Sequence, residues 1–127
     1  MRTKYIILSI IFFCFAHGQI VNTVAGSGNA SWQNGTGTNA SFNRPQGIDV
    51  DASGNIYVAD FYNNRIRKIT PSGEVTTLAG SSYGYQDGSG AEARFRYPSD
   101  VAVDLLGNVY VADSYNHRIR KINSMGI

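Results

Sequence analysis

The sequence has few cysteines, few prolines and little surplus charge. The only cysteine among the 127 residues is Cys14, so an internal disulfide and a cysteine-based metal site are excluded. The formal charge of +2 lacks the basic excess expected of a nucleic-acid-binding protein. No apolar run reaches the roughly 20 residues that a membrane-spanning helix needs, and no segment has a convincing helical period. A hydrophobic content of 43% nevertheless predicts a folded chain.

The first 18 residues have the pattern of a secretory signal peptide. Arg2 and Lys4 precede an apolar run over 6–16, and Ala16 and Gly18 place small residues before a cleavage point. Cleavage there leaves 109 residues and removes Cys14. It also lowers the number of Lys and Arg from 11 to 9, which equals the number of Asp and Glu. We therefore expect an uncharged mature protein that is secreted to the periplasm or the extracellular space.

The rest of the chain consists of two copies of one unit. Residues 45–51, 54–60 and 65–69 recur 53 positions later, at 98–104, 107–113 and 118–122. Alternating β-branched residues predict strands over 48–51, 56–60, 65–70 and 75–79, with turns between them. Four antiparallel strands per repeat are typical of a β-propeller blade, which makes the fold class all-β.

This pattern predicts the following organisation. Residues 19–45 contain a leading strand over 21–25, which matches the fourth strand of a blade, and then a Gly-rich loop. The first blade spans 46–80, a second Gly-rich loop spans 81–98, and the second blade spans 99–127 without its last strand. We therefore expect about two blades, which is an incomplete propeller because closed rings have roughly four to eight.

The string from Pro45 to Ile66 resembles the NHL repeat, and Pro98 to Ile119 is a second copy that departs from it at Asp100 and Ala102. This resemblance implies a β-propeller, usually of six blades, that binds partners or small molecules. The long repeats with Gly-rich connections are similar to those of secreted bacterial proteins. Relatives by fold include lyases and lactonases, so the resemblance alone leaves an enzymatic role open.

Two acid–base pairs flank equivalent hairpin loops. Asp60 and Arg65 should lie opposite each other on adjacent strands, and Asp113 and Arg118 repeat this arrangement. We expect a cross-strand ion pair that braces each hairpin. The alternative is a catalytic acid beside an anion-binding arginine, but a catalytic group has no reason to recur in every blade.

Three further features have a simple structural interpretation and a functional alternative. The repeated Arg67-Lys68 and Arg120-Lys121 pairs predict a solvated, charged outer strand, or else a strip that binds acidic glycans or nucleic acid. His117 has no recurring histidine partners with which to form a zinc site, so we expect a loop residue there. The glycines of 34–37 and 87–90 permit tight turns, although their oxygens could also bind Ca²⁺.

Aromatic residues in the Gly-rich loops are the best candidates for ligand contact. Trp32, Tyr83 and Tyr85 lie where loop tips would present them, and loops on a rigid scaffold commonly carry binding residues. We predict no catalytic residue, no cofactor and no metal.

The sequence therefore favours a secreted binding or scaffold module for a protein or glycan partner, without a nucleic-acid partner or a membrane span. Two alternatives remain. The chain could belong to a larger propeller enzyme of the lyase or lactonase type, with its catalytic residues in missing blades. It could also form a six-bladed ring as a homotrimer.

Overall fold

The computed structural model describes residues 18–125, so the predicted signal peptide lies outside the described residues except for Gly18. The secondary structure within this range is short strands and 3₁₀ turns. The strands are β1 (Gly35–Thr36), β2 (Pro45–Val50), β3 (Ile56–Asp60), β4 (Arg65–Ile69), β5 (Glu74–Ala79), β6 (Pro98–Val103), β7 (Val109–Asp113) and β8 (Arg118–Ile122). The 3₁₀ turns are Gly37–Asn39, Phe61–Asn63, Gly90–Glu92 and Ser114–Asn116. Over residues 18–125, no helix is long and apolar enough to cross a membrane.

The strands form two antiparallel sheets that correspond to the two sequence copies. Blade 1 contains five strands in the order β1-β5-β4-β3-β2, and blade 2 contains three in the order β6-β7-β8. From β2 to β5 and from β6 to β8, each strand forms a hairpin with the next. This architecture confirms the prediction of an all-β chain built from antiparallel propeller blades.

The predicted leading strand over 21–25 is wrong for this structure. These residues form no strand, and Val21 is 96% exposed. A strand needs the open edge of a neighbour for its hydrogen bonds, and in blade 1 the outer edge of β4 is already occupied by β5. The outermost position is instead taken by β1, which comes from the Gly-rich loop and pairs with β5 through Gly35 and Val75.

A carboxylate organises the turn between β2 and β3 in blade 1 and the turn between β6 and β7 in blade 2. Asp51 Oδ1 accepts hydrogen bonds from the backbone N–H groups of Ser53 and Asn55, at 3.0 and 2.9 Å. Its Oδ2 accepts from Asn55 Nδ2 and from the Tyr57 hydroxyl, both at 3.0 Å. Asp104 repeats this arrangement in blade 2. The recurring Asp-x-x-Gly-Asn-x-Tyr string thus encodes a locked turn.

The main core lies between the blades. Residues from both sheets and from the second Gly-rich loop form it: Tyr57, Ala59, Ile66, Ala79, Ala93, Phe95, Val101, Val109 and Val111. Strands β2 and β6 of the two blades approach so closely that a Cβ on Gly47 would lie 2.4 Å from Asp100 Cα. Glycine is therefore required at position 47 by the approach of another backbone.

Two hydrogen bonds fix the second blade on the first. Asp49 Oδ2 accepts from the backbone N–H of Val103 at 2.8 Å, which joins β2 to β6. At the opposite end of the interface, Asn64 Oδ1 accepts from the Tyr97 N–H at 3.0 Å. Both connections depend on residues that differ between the copies, since Ala102 and His117 occupy the equivalent positions in blade 2.

Candidate functional site

A buried aspartate–arginine pair lies at the centre of blade 1. Asp60 and Arg67 are both fully buried, and Asp60 Oδ2 lies 2.7 Å from Arg67 Nη1. Asp60 also accepts from the Asn43 N–H and from Asn63 Nδ2, each at 2.8 Å. Blade 2 repeats the pair with Asp113 and Arg120, at 2.8 Å.

The arginine of this pair holds the Gly-rich loop against the blade. Arg67 donates to the backbone oxygens of Ser41 and Gln33, both at 2.8 Å, and to Asn34 Oδ1 at 3.0 Å. Arg120 makes the equivalent bond to Asp87 Oδ1, at 2.7 Å. Two of the loop oxygens considered above as possible calcium ligands, Asn34 Oδ1 and Asp87 Oδ1, are thus bonded to guanidinium groups. The pair joins two strands and a loop, which is a structural role.

The expected ion pairs of Asp60 with Arg65 and of Asp113 with Arg118 are therefore wrong. The residues do face each other in register across the hairpins. However, each carboxylate points inward to the arginine two positions further along the strand. The expectation of a solvated basic strip is also wrong for Arg67, because β4 is covered on both faces. Ile66 and Ile69 are buried on opposite faces of it.

Arg65 and Arg118 instead contact the aromatic residues of the Gly-rich loops. The Arg65 guanidinium lies 4.3 Å from the centre of the Trp32 ring, and that of Arg118 lies 4.0 Å from the Tyr85 ring. Burial, together with the nearby charge of Arg67, lowers the pKa of Arg65 from its ordinary value. Trp32 and Tyr85 are about half exposed. One ring face of each is nevertheless covered by an arginine, which indicates packing of the loop on its blade.

Five aromatic side chains meet where the two blades join, and we call them the aromatic seam. They are Phe61, Tyr62, Tyr83, Tyr97 and Tyr115. Tyr97 is the centre: its ring stacks on Phe61 with centroids 5.0 Å apart and an angle of 15°. Tyr62, Tyr83 and Tyr115 stand at 74°, 62° and 88° to it, with centroids 5.5, 5.2 and 4.8 Å away. The last three are 42–54% exposed, so the seam is a surface feature.

The backbone holds the seam in place. Tyr62 and Tyr115 lie in the 3₁₀ turns that follow β3 and β7, and their N–H groups donate to the carbonyls of Asn43 and Arg96. Tyr97 has a positive φ of 50°, an uncommon conformation for a bulky residue. Its N–H bond to Asn64 in blade 1 stabilises that conformation. The central ring is thus positioned by contacts from both blades.

Two arginines flank the seam. The Arg44 guanidinium lies 5.2 Å from the centre of the Tyr62 ring, and its Nη1 donates to the Tyr62 hydroxyl at 2.6 Å. The Arg96 guanidinium lies 4.8 Å from the Tyr83 ring. Among residues 18–125, the ion pairs involve Arg67 and Arg120, and neither Arg44 nor Arg96 contacts a carboxylate in this way.

Three of the five seam residues break the repeat, whereas Tyr62 and Tyr115 occupy equivalent positions in the two copies. Phe61 is replaced by Ser114 in the second copy, while Tyr97 and Tyr83 stand where the first copy has Arg44 and Ala30. A blade needs its repeated residues in order to fold. Residues that break the repeat and gather on one surface are therefore candidates for function. Sequence reasoning found Tyr83 but missed the other four, because their proximity arises only when the two blades pack.

The other candidate sites offer fewer features that point to function. His117 lies at the left-handed corner before β8, with φ of 55°, and is exposed as a loop residue would be. In the part of the chain that the structure describes, no group of three or more His, Cys, Asp or Glu could hold a metal ion. A groove of about 700 Å³ lies between β8 and residues 85–93. In blade 1 the equivalent position, between β4 and the first Gly-rich loop, is occupied by β5.

Comparison with known proteins agrees with the two-copy architecture. Residues 42–69 and 95–122 each match the family model for the NHL repeat. The chain belongs to the NHL repeat family. NHL repeat-containing protein 2 of Homo sapiens is 36% identical over 91 residues, which cover 68% of this chain and 12% of that protein.

Solved structures with the same blades come from Bacteroides thetaiotaomicron. An auxiliary nutrient binding protein is 32% identical, with a TM-score of 0.68, over 77% of this chain and 27% of that one. A protein provisionally assigned as a phosphatase is 31% identical, with a TM-score of 0.72, over 80% and 26%. The chain therefore spans about a quarter of the length of these two proteins. The neighbouring structures confirm that its blades are of the propeller type.

Proposed function

We propose that this chain is part of a secreted NHL-repeat propeller that binds a protein or glycan ligand through the aromatic seam and catalyses no reaction itself. The observation that carries the proposal is the convergence of five aromatic residues, three of them unrepeated, at the junction of the two blades. Half-exposed tyrosines provide apolar area and a hydroxyl at little entropic cost, as ligand-binding surfaces require.

A binding role has support from one class of relative. The auxiliary nutrient binding protein shares 32% of its aligned residues with this chain. Such a role outside the cytoplasm also fits the N-terminal pattern of residues 1–18. We propose Tyr83 as the ligand contact among the loop aromatics, whereas Trp32 and Tyr85 support Arg65 and Arg118.

Alanine substitution tests the assignment of the surface. A glycan array and a pull-down with the full chain provide the ligand, and binding is then measured for Tyr62→Ala and Tyr115→Ala. Each should weaken binding by about tenfold, since buried aromatic contacts contribute 1 kcal/mol or more. Tyr85→Ala removes a ring of similar exposure away from the seam and should bind normally. Equal losses for all three variants would contradict the assignment.

The enzymatic alternative has one supporting observation, the relative that is provisionally assigned as a phosphatase. In that case the seam would hold a substrate for catalytic groups on other blades. Incubating the full-length protein with phosphate monoesters distinguishes the two roles. Turnover that is lost on substituting seam residues would favour the enzyme.

Further blades are expected to cover the open surfaces of this arc. Ile119 on blade 2 is 75% exposed, whereas its equivalent Ile66 in blade 1 is fully buried by the adjacent blade. The covering blades belong either to the same polypeptide or to other copies, as in the homotrimer considered above. Light scattering of the purified protein decides between these arrangements, because a trimer has three times the monomer mass.

A further inference from the structure

We infer that the ligand of the aromatic seam is an anionic carbohydrate chain, whose pyranose rings carry carboxylate or sulfate groups. This inference rests on the proposed function and names the ligand class of that same surface. It depends on the angles between the rings and on the two flanking arginines.

The ring angles suit sugars better than flat aromatic ligands. One face of Tyr97 is taken by Phe61, and the exposed rings around it stand at 62–88° to its plane. Nucleic-acid bases stack on aromatic platforms that follow the strand, one base after another. A cluster of differently inclined rings offers no such series of parallel platforms. Pyranose rings pack their C–H faces on single aromatic rings, and their hydroxyls can bond to the exposed phenolic groups.

The charge of the surface is positive at both sides of the seam. Asp60 and Asp113, the carboxylates closest in sequence to its turns, are fully buried and paired with Arg67 and Arg120. Arg44 and Arg96 therefore face the seam without an acidic partner among the described residues. A guanidinium binds a carboxylate or sulfate through two parallel hydrogen bonds, which gives both strength and orientation.

Arg96 has a further feature that a bound anion would offset. Its Nε is buried and has no hydrogen-bond partner. Burial without a partner is unfavourable for a charged donor. An anion at the outer nitrogens would stabilise the charge that the burial of Nε leaves poorly solvated. Position 96 is asparagine in the first copy, so this arginine is not needed to build a blade.

Calorimetry with defined oligosaccharides tests the inference on the purified full chain. The probes are tetragalacturonic acid, neutral maltotetraose and a ten-nucleotide oligouridylate. Tetragalacturonic acid should bind at least tenfold more tightly than the other two. Its affinity should fall as salt rises from 50 to 500 mM, because the ion pairs are partly exposed.

Substitutions locate the binding site. Arg96→Gln should weaken tetragalacturonic acid binding about tenfold or more, as expected for a hydrogen bond to a charged group. Arg96→Lys keeps the charge but not the paired donors and should recover only part of the affinity. Lys121→Gln removes one positive charge from blade 2 away from the seam and should have no effect. Far-UV circular dichroism checks that each variant is folded.

The outcomes separate this inference from the proposed function. Preferential binding of oligouridylate or maltotetraose that depends on Tyr62 and Tyr115 would overturn the anionic carbohydrate while leaving a binding surface at the seam. Tetragalacturonic acid binding that Lys121→Gln weakens as much as Arg96→Gln would indicate general charge attraction and overturn the site. No binding of any probe or partner at the seam would overturn both.

Discussion

Removing Arg67 should destabilise the chain strongly, because its charge balances that of a carboxylate with no access to solvent. Arg67→Met keeps much of the side-chain volume but removes four hydrogen bonds, of 2.7–3.0 Å, to Asp60 and the first Gly-rich loop. Asp60 keeps two donors, the Asn43 N–H and Asn63 Nδ2. Breaking one partner of a buried pair costs about 3–5 kcal/mol, and we expect a loss of unfolding free energy in this range.

Urea unfolding followed by circular dichroism measures this loss, with the second copy as a matched control. Arg120→Met removes the equivalent pair in blade 2. That arginine side chain is 9% exposed, and its loop partner Asp87 is 78% exposed. Solvent can therefore replace part of what is lost, so the cost should be clearly smaller than in blade 1.

A second substitution tests the electrostatic reason. Adding Asp60→Asn to Arg67→Met removes the buried, unpaired charge and should restore about 1–2 kcal/mol. The reasoning would be refuted if Arg67→Met cost less than 1 kcal/mol, or if Asp60→Asn in that background destabilised the chain further. The first result would mean that the pair contributes little beyond its packing, and the second that the unpaired carboxylate is not the source of the cost.

Other predictions concern the turns and the interface. Hydrogen bonding to Asn55 and Asn108 holds the pKa of Asp51 and that of Asp104 below the ordinary value of 3.8. The stability that these two carboxylates contribute is therefore complete above the unfolded pKa and is lost as pH falls through the lower folded pKa. The urea midpoint should decline less from pH 6 to pH 2 in a variant with both Asp51→Asn and Asp104→Asn than in the parent. Burial, followed by the contact with Asp51, raises the pKa of Tyr57 to about 12. Stability from Tyr57 should thus be lost between pH 10 and 12 in the parent but not in Tyr57→Phe, as unfolding curves at those pH values would reveal. Gly47→Ala places a methyl group 2.4 Å from Asp100 Cα and should cost more than 2 kcal/mol in the same assay, whereas an unchanged midpoint would mean that the blades separate easily.

The strand pattern was readable from the sequence because it depends on local periodicity. Alternation and turn residues predict β3 at 56–60, as found, and β2, β4 and β5 within three residues of their observed bounds, whereas β1 is not predicted. The Asp51 turn is also local, since its partners lie within six residues. Features that need only neighbouring residues can be read from one copy and checked in the other.

Contacts between distant segments could not be read in this way. A hairpin puts Asp60 and Arg65 side by side, which predicts that they pair, yet the interior position of β4 makes Arg67 the buried partner of Asp60. Arg67 alternates with Ile66 and Lys68 and lies on the same side of the strand as Ile69, which is buried. The position of Arg67 on the same side of the strand as Ile69 indicates that its side chain is buried. It indicated nothing about the loop that covers the guanidinium.

The sequence by itself thus determined the repeat, the strands, the turns and the family, because the residues that form the strands and turns of a blade lie close together within each copy. Only the tertiary structure decided which residues meet between the copies. Phe61 and Tyr97 are 36 positions apart, and they stack only because Asn64 and Asp49 hold the second blade on the first. The aromatic seam is a product of that packing, and its chemistry distinguishes this chain from a bare repeat.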